Sequence, residues 1–453
     1  MQDNTIAAIS TPSGEGAIGV VRISGSNAFV VAEKVFKSFS GKTVAEIKGY
    51  TALYGEVFDS ESKIDNAVLL KFCAPKSYTG EDVVELSVHG GSFVVNRVLR
   101  ACLDNGAAPA GAGEFTKRAF LNGKLDLIEA ESVMSLIKAG NDQQLKMANS
   151  AISGKVSRQI KEIEELLVSL ASKIAVFSDY PEEYLPEVDD TKFICDLKTA
   201  KEKLTVLIDT YDTGRKIKEG ITTAIVGKPN VGKSTLMNLL SGETKSIVTS
   251  VAGTTRDVIE DTVNIGNIML RIADTAGIHE TDDEVENIGV KLSRQRIENS
   301  DIILAVFDTS TPFDEDDKKL LEYVADKKVL AILNKNDKKA YEYKEFLKDV
   351  PFVEMSAKND VGTEELAKEI EKQVGTYGFD ANSAVLFSVR QRNAATNARR
   401  AVTEAIEAIE NGFTTDAFGI CVDDALYALY TLTGQRVTNA VADEVFRNFC
   451  VGK

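Results

Sequence analysis

The chain has 453 residues, enough for about three domains at roughly 150 residues each and too many for a single small binding module. Apolar residues make up 43% and charged residues 27%, the balance of a soluble globular protein and not of a disordered, collagen-like or membrane-embedded one. With 53 Lys and Arg against 69 Asp and Glu the net charge is −16, a field that repels nucleic acid, so any RNA role needs a local basic face or a partner.

Residues 1 to about 120 mix β-rich runs (Ile18 to Ile23, Val68 to Phe72, Val83 to Val88) with turn signals at Pro12-Ser13-Gly14 and His89-Gly90-Gly91, which predicts an α+β domain. From 121 to 217 the period changes. Ile152, Val156, Ile160, Ile163, Leu167, Leu170 and Ile174 recur at intervals of four and three, the stripe of one long amphipathic helix. Over 218–377 short apolar strands (Thr222 to Val226, Ile268 to Ala273, Ile302 to Phe307, Val329 to Leu333) alternate with helix-length polar stretches, as in a doubly wound sheet. Helical stripes return over 378–453, with Ala395, Ala398, Val402, Ala405 and Ile409 forming one and Leu426, Leu429 and Tyr430 beginning another. The expected architecture is multidomain: an α+β domain, then an all-α domain in two parts with an α/β domain inserted between them. Separate domains in series are the alternative.

No eighteen apolar residues run together, and the first residues lack the basic and apolar regions of a secretory signal, so a cytoplasmic protein without a membrane span is expected. Five scattered cysteines without CxxC spacing argue against a disulfide framework and a structural zinc site. Two histidines leave little for histidine-based metal or triad chemistry.

Gly227-Lys228-Pro229-Asn230-Val231-Gly232-Lys233-Ser234 matches GxxxxGK[ST] between a strand and a helix, the context a phosphate-binding loop requires. The glycines let backbone N–H groups curl around phosphates, Lys233 reaches the β and γ oxygens, and Ser234, with Thr235 behind it, opens the helix and ligates Mg²⁺. Thr255, within Gly253-Thr254-Thr255-Arg256, is the expected second protein ligand to Mg²⁺. Asp274-Thr275-Ala276-Gly277 ends a strand where Asp274 can hold the metal through water and Gly277 can sense a γ-phosphate. In Asn334-Lys335-Asn336-Asp337 the final carboxylate can accept guanine N1–H and N2–H, a donor pair that adenine lacks. Ser356-Ala357-Lys358 supports the base. In this order the segments specify a P-loop GTPase domain over 218–377.

Ile278 follows the Asp274 motif where Ras-like proteins carry a water-orienting glutamine. Hydrolysis then needs other help. Asn230 and the carbonyls of Thr249, Ser250, Val251, Ala252, Gly253 and Thr254 are candidates to hold a monovalent cation beside the phosphates. The alternative for Asn230 is a loop-stabilising hydrogen bond. Downstream lies an acidic stretch that includes Asp282, Asp283, Glu284 and Glu286.

Beyond the GTPase set, three stretches carry a family resemblance over essentially the whole chain. They are Gly16-Ala17-Ile18-Gly19-Val20-Val21-Arg22-Ile23-Ser24-Gly25, Tyr78-Thr79-Gly80-Glu81-Asp82-Val83-Val84-Glu85-Leu86, and the run Gly113-Glu114-Phe115-Thr116-Lys117-Arg118 through Lys124-Leu125-Asp126-Leu127. With Cys450-Val451-Gly452-Lys453 near the end, the sequence resembles the MnmE (TrmE) family of tRNA modification GTPases. The resemblance implies a homodimer whose N-terminal domain, residues 1–120, binds 5-formyltetrahydrofolate or a related folate. It also implies potassium-dependent GTP hydrolysis with Asn230, Thr249, Val251 and Thr254 around the cation, and Glu286 positioning water. Folate-site candidates by motif are Arg22, Glu85, Lys124 and Lys453, with Cys450 as a possible carbon-transfer residue. With a flavoprotein partner, MnmG, in a heterotetramer, the family adds a carboxymethylaminomethyl or aminomethyl group to C5 of the wobble uridine in certain tRNAs. The reading of a different class is a regulatory or ribosome-assembly GTPase without carbon transfer.

Overall fold

The computed structural model describes residues 4–179, 190–242, 261–272, 297–338, 341–436, 438–447 and 449–453. Two compact units divide the chain, Met1–Met134 with Val422–Lys453, and Ser135–Cys421.

The first unit is built on seven strands: β1 (Ile6–Ile9), β2 (Ile18–Ser24), β3 (Phe36–Ser38), β4 (Thr51–Phe58), β5 (Lys63–Phe72), β6 (Val83–His89) and β7 (Ala108–Pro109), in the order β3-β4-β5-β6-β2-β1-β7. Every pairing is antiparallel except β1 with β7. Strand alternation sends Val21 and Ile23 of β2 and Val84, Leu86 and Val88 of β6 into one core, closed by Val31 and Val35 of the helix Ala28–Val35 and Val95 and Val98 of the helix Ser92–Asp104. The same alternation turns Arg22 and Glu85 to the other face, and the β2–β6 register sets them directly opposite each other. A smaller core of Leu127, Ala130, Phe446 and Phe449 gathers the segment after the helix Glu114–Leu121 and the helix Asn439–Arg447. Lys71, 5% exposed, has no carboxylate partner among the described residues; its ammonium donates to the carbonyls of Val44, Ala45 and Ile47 and sits over the Phe29 ring, so its charge is met by dipoles.

In the second unit the apolar stripe from Ile152 to Ile174 is carried by two helices, Asp142–Ile152 and Lys155–Asp179, and not by the single helix expected. The helix stops at Ser153 and Gly154, where Gly154 takes φ +75°, a value that ends a right-handed helix, while Val156, Ile160, Ile163 and Leu167 stay buried beyond the break. Helices Asp190–Asp209, Tyr211–Glu219 and Val389–Glu410 complete the helical layer. Among the described residues the inserted sheet has six strands, β8 (Ile221–Val226), β9 (Asp261–Ile265), β10 (Ile268–Ile272), β11 (Ile302–Asp308), β12 (Val329–Asn334) and β13 (Phe352–Glu354), in the order β13-β12-β11-β8-β10-β9, all parallel but for β9 at the edge. Both faces are covered: Leu304, Val306, Leu330 and Ile332 enter one core, and Ile303, Ala305, Phe307 and Leu333 the other. Two-sided burial explains why β11 and β12 are near-continuous apolar runs. Loops at the carboxyl ends of β8, β11 and β12 then meet at one edge, where ligands bind in open α/β sheets. Among the described residues no helix is long and apolar enough to cross a membrane.

Candidate functional site

The loop after β8 carries the phosphate-binding sequence into the helix Lys233–Gly242, leaving Ser234 and Thr235 exposed in its first turn. Gly232 has φ +102°, and a Cβ there would stand 2.2 Å from the Asn334 amide nitrogen, so glycine is required both by the backbone and by a neighbour from β12. That neighbour joins three loops. Asn334, 2% exposed, donates from Nδ2 to the Val231 carbonyl at 2.9 Å and accepts at Oδ1 from the Ala357 N–H at 3.0 Å, while its own carbonyl accepts from Thr309 Oγ1 at 2.9 Å. Lys335, at φ +66°, donates to the Asn230 carbonyl at 2.7 Å and pairs with Asp308 at 2.5 Å. Burial works to raise the Asp308 carboxyl, but the Lys335 and Ser310 hydrogen bonds outweigh it and hold it below the ordinary value.

Lys233 folds over its own loop, donating to the Gly227 carbonyl at 2.8 Å and the Lys228 carbonyl at 2.6 Å, and burial pulls its ammonium below its usual pKa. Asn336 N–H donates to the Met355 carbonyl at 3.2 Å. Asp337 is exposed, with Oδ1 accepting from Ser356 Oγ at 2.6 Å, a bond that lowers its carboxyl pKa. Asn230, exposed at φ +63°, has a tolerated left-handed backbone. Val231 is buried beneath the loop, and Lys358 is exposed beside the buried Ser356 and Ala357. Residues 249–255, 274–277 and 286, named above as cation, metal and water-positioning candidates, lie outside the described residues.

Sequence reasoning missed two supports of this site. Lys228 donates to Asp314 at 2.7 Å and to buried Asp317 at 2.9 Å, tying the loop to the cap of the helix Glu315–Val324 and raising the Lys228 pKa against the cost of burial. Asp308 anchors Lys335. Its available signal was an aspartate closing an apolar strand, the feature that singled out Asp274.

A second constellation lies in the first unit. Arg22 Nε and Nη2 both reach Glu85 Oε1 at 2.8 Å, and the guanidinium stands 5.4 Å from the Tyr78 ring centre and 5.5 Å from that of Phe115. Its Nη1 is buried and has no hydrogen-bond partner among the described residues. Residues 450–453 are zipped in beside it: Gly113 N–H donates to the Cys450 carbonyl at 3.2 Å, Phe115 N–H to the Lys453 carbonyl at 3.2 Å, and Ser10 Oγ to the Gly452 carbonyl at 3.0 Å. Lys453 is half-buried. Burial, followed by the Arg22 charge, lowers its ammonium pKa against the opposite pull of Glu85 and Cys450. Arg22, Glu85, Lys453 and Cys450 are therefore neighbours. Lys124 is exposed and donates to the Pro75 carbonyl at 3.2 Å, its stem beside Gly80, two residues from Tyr78.

Residues 5–124 match the family model described as GTP-binding protein TrmE N-terminus, and residues 127–450 match that of the MnmE helical domain. The chain is 41% identical to a tRNA modification GTPase MnmE of Clostridioides difficile (strain 630), covering 100% of this chain and 99% of the relative. It is 40% identical to the protein of that name from Acetivibrio thermocellus, covering 100% of both. A crystal structure of an Era variant from Aquifex aeolicus is 31% identical over 40% of this chain and 66% of that one, at a TM-score of 0.28.

The close fit of residues 450–453 generates a test. Gly452 has φ +97°, and a Cβ there would lie 2.0 Å from the Ile9 carbonyl oxygen. Gly452→Ala is expected to cost roughly 1–3 kcal/mol and to release the segment, so that Cys450 alkylates severalfold faster in a timed mass-spectrometric assay. An unchanged rate would show that the fit is not tight.

Proposed function

The chain belongs to the MnmE family of tRNA modification GTPases, and on that premise we propose that it binds GTP between the 227–234 loop and the turns at 334–337 and 356–358. The observation that carries this reading is the buried Asn334 amide, which fastens the phosphate-binding loop and the base-recognition turns to one another. Backbone amides of the loop and the start of the helix Lys233–Gly242 receive the phosphates, and Lys233 exchanges its two loop carbonyls for β and γ oxygens. Asp337 reads guanine through N1–H and N2–H while Ser356 holds the carboxylate in place. Ser234 and Thr255 hold Mg²⁺, with Asp274 behind them. Asn230, Thr249, Val251 and Thr254 hold K⁺, whose charge offsets that developing on the transferred phosphoryl group, and Glu286 positions the water. Of these ligands Ser234 and Asn230 are described, and both are exposed at the loop.

The unpartnered Nη1 of Arg22, on a guanidinium near two aromatic rings and near Lys453, supports a folate site: the rings suit the pterin, Glu85 its N–H donors, and Arg22 and Lys453 its acceptor atoms. Lys124 is proposed for a glutamate carboxylate at the rim and Cys450 for carbon transfer. We assign the chain to a homodimer that works in the cytoplasm with the flavoprotein MnmG, as a heterotetramer, on C5 of the tRNA wobble uridine. The proposed bodies are 1–120, 121–217 with 378–453, and 218–377.

GTP hydrolysis measured in matched potassium and sodium buffers is expected to be at least tenfold faster in potassium, with the difference abolished by Asn230→Ala. Equal rates in both salts would remove the cation from the mechanism. For the second site, 5-formyltetrahydrofolate is expected to bind the intact protein in calorimetry and to lose at least tenfold in affinity to Arg22→Ala, about 1.4 kcal/mol or more. Binding of the folate to neither protein would favour a regulatory GTPase without carbon transfer.

A further inference from the structure

The helix Val389–Glu410 carries its charges against its own dipole. A helix favours carboxylates at its amino end and cations at its carboxyl end, and two helices of the same unit obey. Glu315–Val324 opens on Glu315, Asp316 and Asp317, and Thr363–Val374 opens on Glu364 and Glu365 and closes on Lys372. In Val389–Glu410 the first turn holds no acid and the last turn no base. Arg390, Arg392, Arg399 and Arg400 precede every acidic residue of the helix, and Glu404, Glu407 and Glu410 follow toward its carboxyl end. Local stability does not explain this order.

Its buried stripe is Gln391, Ala394, Ala395, Ala398, Ala401, Val402 and Ala405. Away from that stripe, Arg392, Thr396 and Arg399 are half-buried, and Asn393, Asn397 and Arg400 are exposed. The Arg392 guanidinium lies 4.7 Å from the Tyr211 ring centre and the Lys218 ammonium 4.8 Å from that of Phe387, so the helix Tyr211–Glu219 brings Lys218 toward the amino end of Val389–Glu410. Among the described residues Arg400 has only the exposed pair with Glu404 at 2.8 Å, which a phosphate can displace.

We propose that this face, Arg392, Arg399 and Arg400 with Asn393 and Asn397 between them, binds backbone phosphates of the tRNA substrate. The proposal rests on the reading of tRNA as substrate and gives the chain, at −16 overall, the local basic face that such a substrate requires. Arg392 to Arg400 spans about 12 Å of helix, the reach of a few consecutive phosphates. Planar guanidiniums bind phosphate bidentately and the amides suit sugar and phosphate oxygens. A membrane-binding face would set apolar side chains among the cations; from 392 to 400 the exposed positions are asparagine and arginine, and Val389, one turn before Asn393, is the exposed apolar residue at the start of the helix.

Fluorescence anisotropy with labelled tRNA over a salt series tests it, using the full-length protein. Arg392→Gln with Arg399→Gln and Arg400→Gln is expected to weaken binding at least tenfold at low salt and to reduce the slope of log K against log salt by about 2–3. The pair Arg399→Gln and Arg400→Gln, which spares the Arg392–Tyr211 contact, is expected to reduce the slope by about 1–2. Lysine at the three positions should preserve the slope, and thermal melts should report that each variant is folded. Wild-type slope and affinity in both folded glutamine variants would overturn the proposal while leaving tRNA as substrate. A wild-type protein that binds no tRNA would overturn both.

Discussion

A single buried side-chain amide organises the α/β half of the molecule. Asn334 donates to the carbonyl of Val231 and accepts from the amide of Ala357, so segments more than a hundred residues apart share one carboxamide. Both bonds lie out of water, where leaving either group unpaired costs roughly 1–3 kcal/mol. The amide therefore fixes the distance between the loop proposed to take phosphates and the turns proposed to take the base. Gly232 follows from the same contact, because any side chain there would strike the amide nitrogen. Lys335 and Lys228 reinforce the arrangement from two sides, one tying the Asn230 carbonyl to Asp308 and the other tying the loop to the cap at Asp314 and Asp317.

The first unit relies on a different constraint, cross-strand register. Pairing of β2 with β6 puts Arg22 opposite Glu85, and strand alternation keeps both off the hydrophobic core. The aromatic rings of Tyr78 and Phe115 and the segment at 450–453 then enclose the guanidinium, leaving one of its nitrogens without an acceptor. A charge held in this way is paired on one edge and unsatisfied on another, the observation that supports the proposed ligand site.

Much of this was legible in the sequence, for identifiable reasons. Phosphate binding imposes fixed spacing on a short segment, so the 227–234 loop is visible without any fold, as are the strands that two-sided burial makes uniformly apolar. The α/β insertion within a helical domain follows from the change of period on either side. The break at Ser153 and Gly154 was hidden because the apolar stripe keeps its phase across it, and periodicity reports burial rather than continuity of the helix. The Arg22–Glu85 pair was visible only as two motif residues, since register is decided by strands more than sixty residues apart. Lys228 and its partners were invisible for the same reason. The charge order of Val389–Glu410 is plain in the sequence, but it gains meaning only once that stretch is known to be one unbroken helix.

Nucleotide affinity of Asn334→Ala, followed by fluorescence of a labelled GTP analogue alongside a thermal melt, tests the organising role of this amide most directly. The account predicts at least a tenfold loss of affinity in a protein that remains folded at the assay temperature, because the phosphate loop and base turns lose their common tie. Wild-type affinity in the folded variant would contradict it and place the coupling of the two halves of the site elsewhere.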